Sequence, residues 1–249
     1  MFDYILLFVI SFIANAFSAF AGGGSGLLQL PALIFLGLPF SVALATHKLA
    51  TVALGIGATL RHFREGSLNW RFSAVILVSG LPGVVLGASL VLFVPDRIAE
   101  VSLGILTASL GIYSGLKPEF GQKSEALHRS AWGYCIGGVV LFFIGILNGS
   151  LTSGTGLFVT LWLVQWFGLD YKRAVAYTMI LVGLFWNSSG ALTLGLQGAI
   201  RWDWVPVLLV ASILGGYVGA HYSIIKGNRW IKRVYEVVTI LVGTMLIIG

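Results

Sequence analysis

Residues 4–36 read YILLFVISFIANAFSAFAGGGSGLLQLPALIFL, and residues 131–167 read AWGYCIGGVVLFFIGILNGSLTSGTGLFVTLWLVQWF. Each begins with a long apolar stretch, Tyr4 to Ala21 or Ala131 to Leu147, and runs into a break rich in Gly, Ser and Thr. A short apolar arm follows, Leu27 to Leu36 or Leu157 to Phe167. Ten helical residues rise only about 15 Å, half of a ~30 Å hydrocarbon core. Each arm therefore either folds back as a re-entrant hairpin or continues a broken spanning helix. The two choices place every later loop differently.

The basic residues decide between them. If the broken segments span, the loop Lys and Arg residues divide seven against seven. If they are hairpins, one side receives Arg61, Arg64, Arg71, Lys117, Lys123, Arg129, Lys172, Arg173, Lys226, Arg229, Lys232 and Arg233, and the other only Arg97 and Arg201. Twelve against two is a strong positive-inside signal and seven against seven is none. Hairpins are expected. Three longer spans follow each: roughly 41–60, 72–93 and 98–116, then 174–196, 204–225 and 230–248.

The two halves also repeat in sequence. Gly24-Ser25-Gly26-Leu27 matches Gly154-Thr155-Gly156-Leu157 at an offset of 130. Gly37, Ala43 and Ala45 match Gly168, Ala174 and Ala176 at 131, while Gly83, Gly87 and Ala88 match Gly215, Gly219 and Ala220 at 132. Shared order and near-constant spacing mark a duplication, a common architecture among membrane transporters. With a hairpin and three crossings per half, the halves are inverted. The expected fold is an all-α polytopic membrane protein with two inverted repeats, 1–117 and 130–249, in a single membrane domain spanning 1–249.

Composition agrees. Of 249 residues, 57% are hydrophobic and 10% charged, against about 25% charged in soluble domains. The net charge of +6 lies mostly in short loops between apolar spans, so it is expected to set membrane orientation rather than bind nucleic acid. The single cysteine, Cys135, cannot form an internal disulfide and suggests no metal site. The first apolar segment lacks a preceding basic residue, unlike a secretory signal, and the repeat needs it, so it is expected to be retained.

Irregular backbone at membrane depth survives only inside protein or along a cavity, because its polar groups need partners. The helix after each break starts with unpaired N–H groups and the positive end of a dipole, which suits an anion. The candidate binding residues are Gly24, Ser25 and Gly26 in the first break, and Ser153, Gly154, Thr155 and Gly156 in the second. Close helix packing through small residues is the alternative use of these glycines. Lys48 stands inside a span, with Thr46 and His47 beside it and Thr51 one turn on. An ionisable residue at that depth is a functional candidate, and snorkelling to the interface is the alternative. Its repeat position is Met179, so the charge is unmatched; the second half offers Asn187, which can bind or can bridge helices. His221 is expected to be structural. No span holds paired carboxylates, which argues against a cation site or an acidic proton relay.

The chain resembles the TauE/SafE family of membrane permeases. The resemblance rests on GGGSG-x4-P (Gly22 to Pro31), ALATHKLATVALGIGATLRHFREG (Ala43 to Gly66) and the second copy NGSLTSGTG with AVAYTMILVGLFWNSSGAL, and it covers nearly the whole chain. It implies export of sulfite, organosulfonates or related sulfur anions across a bacterial inner membrane. His47-Lys48, and Asn148 and Ser150, depart from the family pattern and can tune the substrate. The expected function is secondary transport of a small anion between the two breaks, with no cofactor, no metal and no catalytic residue. Expected partners are the anion, the bilayer and a coupling proton or Na⁺, and both termini are expected in the periplasm. An anion channel or an assembly factor is the alternative. A rhomboid-like serine protease is a further one, built on Gly23-Gly24-Ser25-Gly26 with His47 or His221 as base, although it needs no second copy of the motif.

Overall fold

A glycine run can stop an apolar helix and turn the chain, and both breaks do so. The computed structural model describes residues 2–63, 68–90, 96–119, 121–151, 154–196 and 200–248, and among them every regular element is a helix. The first half holds α1 (Phe2–Ala21), α2 (Gly26–Phe35), α3 (Phe40–His62), α4 (Trp70–Leu90) and α5 (Asp96–Leu116). The second holds α6 (Ala131–Ser150), α7 (Thr155–Gln165), α8 (Tyr171–Tyr177), a π-helix π1 (Thr178–Trp186), α9 (Asn187–Gly195), α10 (Val205–Lys226) and α11 (Asn228–Ile248). Among the described residues side chains cap three of the starts, with Asn69 accepting from the Phe72 N–H before α4. Ser130 accepts from the Gly133 N–H before α6, and Asp170 accepts from the Arg173 N–H before α8. The described spans meet the expected boundaries within a helical turn.

Side-chain hydrogen bonds give the direction of the short arms. The indoles of Trp162 and Trp166 donate to the carbonyls of Gly137 and Gly133, at 3.2 and 3.0 Å. Advancing along α7 thus means retreating along α6, so α7 folds back beside it. Leu127 N–H donates to the carbonyl of Phe167, which returns the end of the arm to the segment preceding α6. In the first half Gln29 Nε2 donates to Ser11 Oγ at 2.9 Å. Ser11 lies ten residues before the end of α1, about 15 Å of helix, so a continuing arm could not reach it. Both breaks are chain reversals.

Among the described residues six helical stretches are long and apolar enough to cross a membrane: Asp3–Ala21, Val42–His62, Trp70–Leu90, Ala131–Ser150, Tyr171–Gly195 and Val205–Lys226. The protein is a multi-pass membrane protein. The stretch in α3 is 72% buried and 171–195 is 61% buried, against 33–44% for the others. Those two therefore form the centre, and the rest surround them. One span departs from expectation. Residues 174–196 are not one regular helix, because nine of them form π1 between α8 and α9. There π1 meets α3 so closely that a Cβ on Gly55 would stand 2.6 Å from the carbonyl carbon of Gly183. Wide π turns are frequent at functional sites.

Packing follows the repeat. A Cβ on Gly83 or Gly87 of α4 would strike the carbonyl oxygens of Phe142 or Ile146 in α6. A Cβ on Gly215 or Gly219 of α10 would strike those of Phe12 or Ala16 in α1. Each contact is its partner's with the halves exchanged. α5 and α11 pack on each other at the side of this assembly.

Candidate functional site

The two reversals touch. Gly22, Gly23 and Gly24 have φ of +90°, +147° and +100°, in the region that favours glycine. Gly23 faces the start of α7: a Cβ there would collide with Leu157 N and Gly156. Thr160 in α7 donates its hydroxyl to the Gly22 carbonyl at 2.7 Å, and Tyr235 in α11 donates to the Leu157 carbonyl at 3.2 Å. Among the described residues of the second break only Gly154 takes a left-handed φ, +75°, and it stands at the N-cap of α7.

Between the turns lies a cavity of about 30 Å³, space on the order of one or two waters. Its wall contains Gly23, Gly24, Ser25 and Gly26 from the first break and Thr155 and Gly156 from the second. Ser18, Thr51, Leu54, Asn148, Met179, Val182, Gly183 and Asn187 complete it. Of the expected binding residues, Gly24, Ser25, Gly26, Thr51, Thr155, Gly156 and Asn187 are therefore gathered in one place. The side-chain oxygen of Asn187 is buried without a hydrogen-bond partner among the described residues. Rotation of that amide presents either an acceptor or two N–H donors.

Lys48 is fully buried. Its ammonium donates to the Asn148 carbonyl at 2.7 Å and stands 3.5 Å from Asn148 Oδ1. Asn148 in turn donates to Thr155 Oγ1 at 2.9 Å. The charge thus sits directly behind two groups of the cavity wall. Among the described residues no carboxylate lies within ion-pair distance of it. Gly190 makes room for it, since a Cβ there would stand 2.9 Å from Lys48 Cδ. A desolvated ammonium without a counter-charge is costly, and an anion nearby offsets that cost.

Other expected residues lie elsewhere. Thr46 and His47 do not line the cavity. The Thr46 hydroxyl accepts from the Arg201 N–H at 3.0 Å, and His47 Nδ1 pairs with Gln29 Oε1 at 2.8 Å. Neighbouring helical residues point about 100° apart, so three consecutive polar residues cannot share a face. Ser153 lies outside the described residues. The bases considered for a serine protease are engaged away from Ser25: His47 with Gln29, and His221 Nδ1 with Arg61 Nε at 3.0 Å.

Two features escaped the sequence reading. Ser11, Asn15 and Ser18 form a stripe at i, i+4 and i+7 on α1, a legible helical signal. Ser18 reaches the cavity, while Asn15 donates to Ser212 Oγ at 3.0 Å. Lys232, counted above among the loop charges, forms a largely buried ion pair with Glu236 on α11, facing α5, whose Ser114 hydroxyl donates to Glu236 at 2.9 Å. Among the described residues no cluster of His, Cys, Asp and Glu could hold a metal ion.

The family description sulfite exporter TauE/SafE matches residues 7–246, and the chain belongs to that family. A probable membrane transporter protein of Sinorhizobium sp. is 31% identical over 242 residues, covering 97% of this chain and 91% of that protein. One from Haemophilus influenzae is 29% identical, covering 97% and 93%. One from Bacillus subtilis is 21% identical, covering 98% and 97%. No solved structure matches the chain.

Proposed function

We propose that this member of the TauE/SafE family is a secondary transporter that carries a small sulfur oxyanion, sulfite or a sulfonate, bound between the two glycine turns near the bilayer midplane. The observation that carries the proposal is Lys48, a buried cation with no acidic partner among the described residues, hydrogen-bonded into the wall where the reversals meet. An oxyanion would supply the missing charge. Ser25 offers a hydroxyl donor and Asn187 an amide, while the Thr51 hydroxyl is spent on the Lys48 carbonyl at 2.7 Å. Sulfite enters through the family description, and its several oxygens suit a cradle of separate donors better than a spherical halide does.

A carrier is favoured over a channel because the central cavity has room for only a water or two. An anion of four or more heavy atoms fits only after the turns or π1 shift. Such a rearrangement between a closed and a wider state is what alternating access requires.

The membrane orientation follows from the hairpins and the charges. Each reversal returns its arm to the side it entered; with α5 and α11 taken as crossings beside the two apolar spans that follow each hairpin, each half crosses three more times and the second half is inverted relative to the first. The twelve-charge side is cytoplasmic and both termini are periplasmic, in the bacterial inner membrane.

Purified protein in proteoliposomes tests the function. Sulfite, a short alkyl sulfonate, sulfate, phosphate and chloride are offered under imposed proton and Na⁺ gradients. Saturable uptake of sulfite or the sulfonate, absent from empty vesicles and weaker for chloride, is expected. Uptake of none of the sulfur anions above the empty-vesicle rate would refute the substrate class.

A further inference from the structure

A second, much larger cavity lies on the side that carries most of the basic loops. Its volume is about 870 Å³, and among the described residues three cations, Arg129, Lys172 and Arg173, line it against one carboxylate, Asp170. Arg129 is held in place. Its guanidinium lies 4.5 Å from the Phe72 ring centre and 5.4 Å from that of Phe167, and it donates one hydrogen bond to the Phe167 carbonyl at 3.1 Å. A guanidinium carries five N–H donors in a plane, so aromatic faces and one acceptor leave donors along its edge. Beside it the Tyr177 hydroxyl accepts from the Asn69 N–H at 2.8 Å and keeps its own proton to donate.

The chamber adjoins the central cavity. Tyr177 and Ile180 face the chamber, whereas Met179, Val182 and Gly183 face the central cavity. The start of π1 therefore lies between the two, with one face toward each. α3 joins the two as well, with His62 at the chamber and Thr51 at the central cavity, eleven residues or about 16 Å apart.

We propose that this basic chamber is a second anion site, where the oxyanion gathers at Arg129, Lys172 and Tyr177 before it passes the π1 turn to Lys48. The proposal rests on the transport function put forward above. A cleft lined with one sign of charge raises the local concentration of its counter-ion and the rate of its entry, and salt weakens both effects. Arg129 fixes the innermost donors. Lys172 extends the field toward water, and the more exposed Arg173, paired with Asp170 at 3.5 Å, adds less. The π1 turn separates a site of capture from a site of occlusion, so each has its own chemical signature.

Titration calorimetry with sulfite under anaerobic conditions, on detergent-purified full chain, distinguishes the two sites. Wild type is expected to show a tight and a weak class of binding. The doubly neutralised Lys172→Gln/Arg173→Gln protein and Arg129→Gln should lose the weak class and keep the tight one, while Lys48→Met does the reverse. In vesicles KM for sulfite should rise about tenfold in the chamber variants, the low end for charged clefts, with kcat changed little and the salt dependence of kcat/KM flattened. Arg129→Lys should restore part of the loss, and Arg201→Gln, on the opposite side, should change nothing. Should Arg129→Gln unfold, the surface pair carries the test. Unchanged KM and salt dependence in Lys172→Gln/Arg173→Gln, with wild type transporting sulfite, would overturn the chamber site alone. A wild type that neither binds nor moves sulfite would remove the transport function and this site with it.

Discussion

The two halves pack alike and differ in chemistry. Gly83 and Gly87 press on α6 as Gly215 and Gly219 press on α1. At the centre the correspondence ends. The first half contributes a continuous α3 with a buried ammonium, and a turn of three glycines at positive φ. The second contributes π1, the neutral Asn148, Thr155 and Asn187, and a turn with a single left-handed glycine. Steric demands at helix crossings act on both halves equally, so duplication preserves them. An anion site gains nothing from a second buried cation, whose repulsion and desolvation would exceed its benefit. One half can therefore hold the charge while the other holds the neutral donors and, in Gly190, room for the lysine stem.

Substitutions can break or sharpen this comparison. The largest effect is expected at Gly23, where a side chain meets both an adverse φ and the backbone of the other half. Gly23→Ala should destabilise the fold by about 3 kcal/mol or more, seen as a large drop in thermal midpoint in detergent, from strain and overpacking together. Gly24→Ala, whose nearest contacts are flexible leucine ends, should do less. If the order is reversed, the reversals do not meet as described.

Lys48→Met comes next, and its effect is on transport. Loss of a charge-assisted contact in a dry site should lower sulfite kcat/KM about 100-fold, equivalent to about 2.8 kcal/mol. Thermal stability should hold or rise, because the buried charge goes with it. Lys48→Arg should recover little, since its planar head is larger and Gly190 already limits the space. Wild-type kinetics in Lys48→Met would mean that the second half alone defines the site.

Gly83→Ala and Gly215→Ala test the equal part of the comparison. Each puts a methyl against a helix carbonyl, and each should destabilise by about 1–3 kcal/mol, with the two losses similar. A midpoint shift confined to one variant would show that the halves do not share their crossings. The smallest effect is expected for Ser25→Ala, one neutral hydrogen bond of about 0.5–1.5 kcal/mol, a few-fold in sulfite KM. Complete loss of activity there would favour a nucleophilic serine instead.

Much of this organisation is legible in the sequence, and the limits have physical causes. The reversals follow from arms too short to span, a local property, and from the charge split, a sum over loops that needs no knowledge of tertiary contacts. The helix-crossing glycines follow from their repeat spacing. The π1 turn was not legible, because its register depends on contact with α3 and no residue between 178 and 186 signals it. The grouping of Thr46, His47 and Lys48 failed for a similar reason. Residues adjacent in sequence diverge around a helix, and only the tertiary partners, Arg201, Gln29 and Asn148, show where each points. Lys232 and Glu236 are recognisable as an i, i+4 pair, but their burial depends on α5, distant in sequence.

Protection of a single thiol tests the central claim most directly. In a Cys135→Ser background, Ser25→Cys places the thiol in the wall of the central cavity. The rate constant of its alkylation by iodoacetamide, corrected for the reagent that sulfite itself consumes by displacing iodide, is measured with and without sulfite, and repeated with Lys48→Met added. Sulfite bound between the turns should slow the reaction in a saturable way, and that protection should vanish once Lys48 is gone. An alkylation rate indifferent to sulfite, in protein that transports it, would place the anion somewhere other than between the two turns.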